Sequence, residues 1–170
     1  MLAGALVALA SACASQHVDA QRLATLQHDP LVVVAAPGTS SLNHADSAGT
    51  GNGIGFGGTS PTVVSRALRL HGSRTAVARF YAQTAIRNGW RVSTVRCSAK
   101  TDLISASKQF PGWIATATIG VGDHYELGPA VTIFIETPWH GERTQSVLNP
   151  HAFRPLTLSG VARTCLGGGS

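Results

Sequence analysis

The chain has 170 residues, 44 % hydrophobic and 12 % charged, with a formal net charge of +5. That size fits one modest core and a tether rather than several domains. The uncharged N-terminal run meets polar Gln16 and His17 too soon to span a bilayer, which takes about 20 apolar residues.

In chain order, residues 1–13 carry no charge and end in Leu9-Ala10-Ser11-Ala12-Cys13. A short apolar segment closing on small residues and a cysteine reads as an export signal, with residues 1–12 removed. The segment resembles the lipobox of bacterial lipoproteins, with Ala10, Ser11 and Ala12 in the three places before Cys13. No Lys or Arg precedes Cys13, so the positive n-region of such signals is missing. The resemblance implies a thioether-linked diacylglycerol on Cys13, cleavage before it and a further acyl chain on the new amino terminus. Two or more chains anchor stably, because each buried methylene contributes about 0.8 kcal/mol. The expected location is the extracytoplasmic face of the cell membrane.

Residues 13–60 are expected to be a lipidated segment and linker. Within them, residues 18–29 suit a short helix or an extended segment, Asp29-Pro30 is a turn signal, and Leu31-Val32-Val33-Val34 is an apolar run. From Ala36 to Thr62 the chain is rich in Gly, Ser and Thr, the composition of a flexible coil. No Gly-Lys-Ser/Thr follows its glycines, which disfavours a phosphate loop.

A folded domain is expected over residues 61–137. Residues 62–70 read as a strand, His71-Gly72 as a turn and Ser73 as an N-cap. A helix then runs to about Asn88, with Val77, Phe80, Tyr81, Thr84 and Ala85 as its buried stripe. Gly89 suits the left-handed C′ position, with Trp90 packing back on the last turn. Strands are predicted over 90–97, 103–109, 113–121 and 130–136. In the third, Trp113, Ala115, Ala117, Ile119 and Val121 alternate with Ile114, Thr116 and Thr118. Gly112 and the Gly122-Asp123 pair are expected to mark hairpin ends. The predicted class is α+β: a small antiparallel sheet with one helix covering a face. Residues 138–170 are left as a C-terminal tail.

Phe80-Tyr81, the helix ending in Gly89-Trp90, and the strands holding Trp113 resemble small exported lipoproteins of high-GC Gram-positive bacteria. That family is largely of unknown function. The resemblance covers roughly residues 60–137 and implies fold and location, with no catalytic residue carried over.

Cys97 and Cys165 are expected to form a structural disulfide in an exported compartment. Two free thiols, a redox pair or a metal pair are the alternatives. The seven histidines are scattered without metal-ligand spacing. Asp123, His124, Glu126, His140 and Glu142 would converge only if two loops at opposite ends of one strand adjoined. No Gly-x-Ser-x-Gly elbow or paired carboxylates occur, so no catalytic residue, metal or cofactor is assigned.

Charge distribution offers the one hint of a partner. Arg66, Arg69, Arg74, Arg79, Arg87, Arg91, Arg96 and Lys100 fall in a stretch from Ser47 to Thr101 that holds no acidic residue. Such an excess builds a positive field suited to anionic lipid, to cell-wall polymer or to a protein partner. A solvated face in an arginine-rich chain accounts for it equally well. Nucleic acid is disfavoured by the compartment and by the lack of a helix-turn-helix or basic-aromatic motif. The expected function is a membrane-anchored, non-catalytic binding or support domain. The alternatives are a small-ligand or metal-binding lipoprotein, with a pocket around His124 or Trp139, and a cell-wall-modifying enzyme.

Overall fold

The computed structural model describes residues 18–48, 61–137 and 155–167. The fold is α+β. Six strands form one antiparallel sheet: β1 (Thr39–Ser47), β2 (Val63–Leu70), β3 (Arg91–Cys97), β4 (Thr101–Phe110), β5 (Trp113–His124) and β6 (Gly128–Glu136). Their order across the sheet is β1-β2-β6-β5-β4-β3. Helix α1 covers residues 18–27, and α2 (Pro30–Val33), α3 (Arg74–Arg87) and α4 (Leu158–Ala162) complete the set.

Helix α3 carries the chain from β2, inside the sheet, to β3 at its far edge, and the β3–β6 meander then returns to pair with β2. The helix starts where expected, since the Ser73 side chain accepts from the Ala76 N–H. It ends as expected too. The Trp90 N–H reaches the Ala85 carbonyl and the Gly89 N–H that of Ile86, with Gly89 at φ 79°. These are the two bonds of a Schellman cap, and they satisfy carbonyls the helix end would leave open.

The core lies between α3 and one face of the sheet. From the strands it takes Val64, Val92, Ile104, Ala106, Ala115, Ala117, Ile119, Val121, Val131, Ile133 and Ile135, all buried. Val77, Ala78, Tyr81, Ala82 and Ala85 meet them from α3. Side chains of this size each contribute about 1.5–3 kcal/mol when buried, alanine less. The opposite face presents Ser65, Phe134, Thr118, Ser105 and Thr94 as one transverse rank. Thr118 and Phe134 are exposed at its centre.

Several expectations are corrected. The coil expected over 36–62 contains β1, which pairs with β2 from Thr39↔Leu70 to Ser47↔Val63. Residues 49–60 lie outside the described residues. Asp29-Pro30 is a helix start and not a turn: the Asp29 carboxylate accepts from the Leu31 N–H, and Pro30 takes the first position of α2, where its missing N–H costs nothing. Leu26, Leu31 and Ala36 are buried in the same core, so the folded unit includes residues ahead of 61. Gly122 and Asp123 lie within β5, and the turn falls on residues 125–127. Residues 155–167 of the expected tail also dock on the domain. Val161 and Leu166 are buried, and the Leu156 N–H donates to the Val92 carbonyl at 2.9 Å.

Candidate functional site

Helix α1 turns two faces outward and inward. Leu26 is buried and Leu23 packs against the core, whereas Val18, Gln21, Arg22 and Thr25 share the other face at i, i+3, i+4 and i+7 spacing. That face looks onto the β4–β5 hairpin, Phe110-Pro111-Gly112-Trp113. Pro111 presets the first turn position, and Gly112 at φ 79° takes the second, which requires positive φ in a type II turn. The turn sets Phe110 opposite Trp113, and their rings stack with centroids 4.1 Å apart and planes 7° from parallel. Gln109 Nε2 donates to the carbonyls of Phe110 and Trp113, each at 2.9 Å, and fixes the turn.

Between α1 and this hairpin lies a cleft of about 330 Å³ lined by Val18, Gln21, Arg22, Thr25 and residues 110–113. The Arg22 guanidinium stands 5.8 Å from the Trp113 ring centroid and pairs with Asp19 Oδ1 at 3.2 Å. Val18, Pro111 and Gly112 are exposed at its rim. A stacked aromatic pair beside a guanidinium, an amide and a hydroxyl suits an amphipathic group with an apolar body and a polar or anionic edge.

A buried carboxylate braces the cleft from behind. Asp29 accepts from Trp90 Nε1 at 3.1 Å and from Lys108 Nζ at 2.7 Å. Lys108 also stands 5.1 Å from the Phe110 ring centroid, so the α1–α2 junction, the β3 entry and the hairpin share one polar node.

The eight basic residues do not make one patch. Arg66 turns to the helix-covered side and grips Asp46 with both terminal nitrogens. Burial pushes the Asp46 carboxyl up, but hydrogen bonds from Arg66 and Gln27 and the Arg66 charge outweigh it and hold it below its ordinary value. Arg74 lies 3.2 Å from buried Asp102 and donates to the carbonyls of Ser98 and Ala99. Arg79 donates to the Leu166 carbonyl at 2.6 Å. Arg69, Arg87, Arg91, Arg96 and Lys100 are exposed. By register, Arg69, Arg91 and Arg96 stand on the face opposite the core, near its corners.

Cys97 and Cys165 form a disulfide with Cα atoms 6.2 Å apart. Cys13, Trp139, His140 and Glu142 lie outside the described residues. His124 and Tyr125 stack at the far hairpin, where Tyr125 is 91 % exposed. Among the described residues no three His, Cys, Asp or Glu side chains gather as metal ligands, and no helix is long and apolar enough to cross a membrane.

The cleft was not foreseen from the sequence. Its signals were the helical spacing of Val18, Gln21, Arg22 and Thr25 and the two aromatics flanking Pro111-Gly112. Comparison with protein-family models and with curated proteins finds no match to this chain.

Proposed function

We propose that this chain is a membrane-anchored, non-catalytic lipoprotein of the cell envelope, held by diacylglycerol on Cys13 at the extracytoplasmic face. The observation that carries the reading is the Cys97–Cys165 disulfide, which takes two of the three cysteines and leaves Cys13 over. A lipid on that residue accounts for an odd cysteine count in an exported chain. The non-catalytic part draws support from three carboxylates: buried Asp29 caps α2, half-buried Asp46 bonds to Arg66, and buried Asp102 faces Arg74. Exposed Arg91 on the open face, with exposed Arg87 close by in sequence, suits an anionic surface, while Arg69 and Arg96 stand at the other end of the sheet.

Intact mass and membrane partition of the protein from its host, beside a Cys13→Ala form, test the anchor. The expected wild-type product starts at Cys13, is heavier by the acyl groups, and leaves the membrane fraction when Cys13 is replaced. A soluble wild type with an upstream start overturns it.

The cleft favours a second reading, a small-ligand-binding lipoprotein whose ligand has an apolar body and a polar edge. Its volume of about 330 Å³ lies at the lower end of ligand-sized pockets. A ligand that binds there raises Tm in a concentration-dependent manner, and Trp113→Ala abolishes the shift.

A further inference from the structure

We propose that the cleft end of the molecule is its membrane-facing surface, with Val18, Phe110 and Trp113 seated among the headgroups of an anionic lipid bilayer. The inference rests on the lipid anchor at Cys13 and adds which surface of the domain that anchor holds against the membrane.

Chain length is the first argument. Cys13 and Val18 are five residues apart, a span of about 18 Å at full extension. Val18, the first described residue, lines the cleft together with Trp113. An anchor at Cys13 is therefore no more than five residues from the cleft, and the glycine-rich stretch beyond β1 does not lie between the two. Strand β5 runs from Trp113 to His124, about 36 Å at the usual rise per residue. The exposed Tyr125 hairpin thus stands about twice the Cys13–Val18 span from the cleft end.

Surface chemistry is the second argument. Tryptophan and phenylalanine beside an arginine match the headgroup layer, where a ring sits partly in hydrocarbon and a cation stays at phosphate level. The cleft leaves Val18, Pro111 and Gly112 exposed at its rim, with Phe110 and Trp113 half-buried behind them and Arg22, paired with Asp19, over Trp113. Arg87 and Arg91 are exposed on either side of the Gly89-Trp90 turn. That turn lies at the same end of the sheet as the β4–β5 hairpin, because Arg91 pairs with Ser107, three residues before Phe110. Exposed arginines close to the bilayer favour anionic over zwitterionic lipid.

The test uses the full lipidated chain with Trp139→Phe, reconstituted into vesicles of phosphatidylglycerol and phosphatidylcholine whose acyl chains are brominated. Trp90 is 2 % exposed in the core, so Trp113 is the reporter at the cleft. Strong quenching of tryptophan fluorescence is expected, with most of it lost in Trp113→Phe. A Tyr125→Trp reporter in that last background is expected to stay unquenched. Protein that fails to sediment with the vesicles overturns the anchor and this inference together. Protein that sediments through its lipid but keeps Trp113 unquenched, or shows quenching at Tyr125→Trp, overturns this inference alone. Quenching equally strong in vesicles of phosphatidylcholine alone overturns its anionic part.

Discussion

Asp29 accepts from the Leu31 N–H, from Trp90 Nε1 and from Lys108 Nζ while 4 % exposed. One carboxylate thereby joins three segments distant in sequence. Replacing it by Ala leaves an indole N–H and an ammonium without their acceptor, and is expected to cost about 3 kcal/mol in urea unfolding. Asp29→Asn keeps acceptor capacity for the helix cap and the indole, and should cost less. Two other side chains set a pH dependence. Asp46 is held below the ordinary carboxyl value of 3.8, so its contribution is full above that value and is lost as pH falls through the lower folded value. Tyr81 is raised above 10.0, because burial outweighs the hydrogen bonds to Ala36 and Thr39. Its contribution is full below pH 10 and is lost as pH rises through the folded value. A Tm profile is thus expected to fall below about pH 4 and above about pH 10. Asp46→Asn flattens only the acid limb and Tyr81→Phe only the alkaline one.

Two elements show where close approach and covalent closure hold the fold. At Gly122, φ is 145° and an added Cβ would meet the Lys100 carbonyl oxygen at 2.1 Å. Gly122→Ala is expected to lose about 2–4 kcal/mol, as the β3–β4 turn must move away from β5. Gly128 has positive φ but open space around it, so Gly128→Ala should lose only about 1 kcal/mol. The Cys97–Cys165 disulfide closes a 68-residue separation and stabilises by about 4 kcal/mol in the chain-entropy picture. Reduction is expected to lower the unfolding midpoint accordingly, and a Cys97→Ser, Cys165→Ser double variant should match the reduced protein. The sequence showed β2, α3 and β3–β6 because each carries strong apolar periodicity or a cap, as Ser73 and Gly89 do. It hid β1, an edge strand whose side chains are mostly exposed and whose Thr39–Ser47 run therefore has no apolar alternation. It hid α2 as well, where β-branched Val32 and Val33 oppose helix and the Asp29 cap and Pro30 decide for it. The cleft was hidden for a third reason. Val18 to Thr25 and Phe110 to Trp113 are about 90 residues apart, and only the fold brings them together.

At the scale of the molecule, the described segments before and after the sheet belong to the same core as the sheet. Leu26 and Leu31 from the N-terminal helices, Val161 and Leu166 from the C-terminal segment, and Ile119 and Ile133 from the central strands form one buried cluster. Asp29 ties the first group to β3 and β4 through Trp90 and Lys108, and Arg79 ties the last to α3 through the Leu166 carbonyl. Such cross-links couple the opening of α1 and α2 to that of the sheet. Native-state hydrogen exchange is expected to show this directly. The slowest amides of α1 and α2 should exchange with nearly the same opening free energy as those of β5, because both report global unfolding. Asp29→Ala removes the node and should uncouple them, so that the helical amides exchange faster while the centre of β5 keeps its greater protection. A wild type whose α1 and α2 amides already exchange far ahead of β5 would show the N-terminal segment to be an attachment. The leash between Cys13 and a rigid domain would then be longer than five residues, and the orientation argued for the cleft would lose its geometric basis.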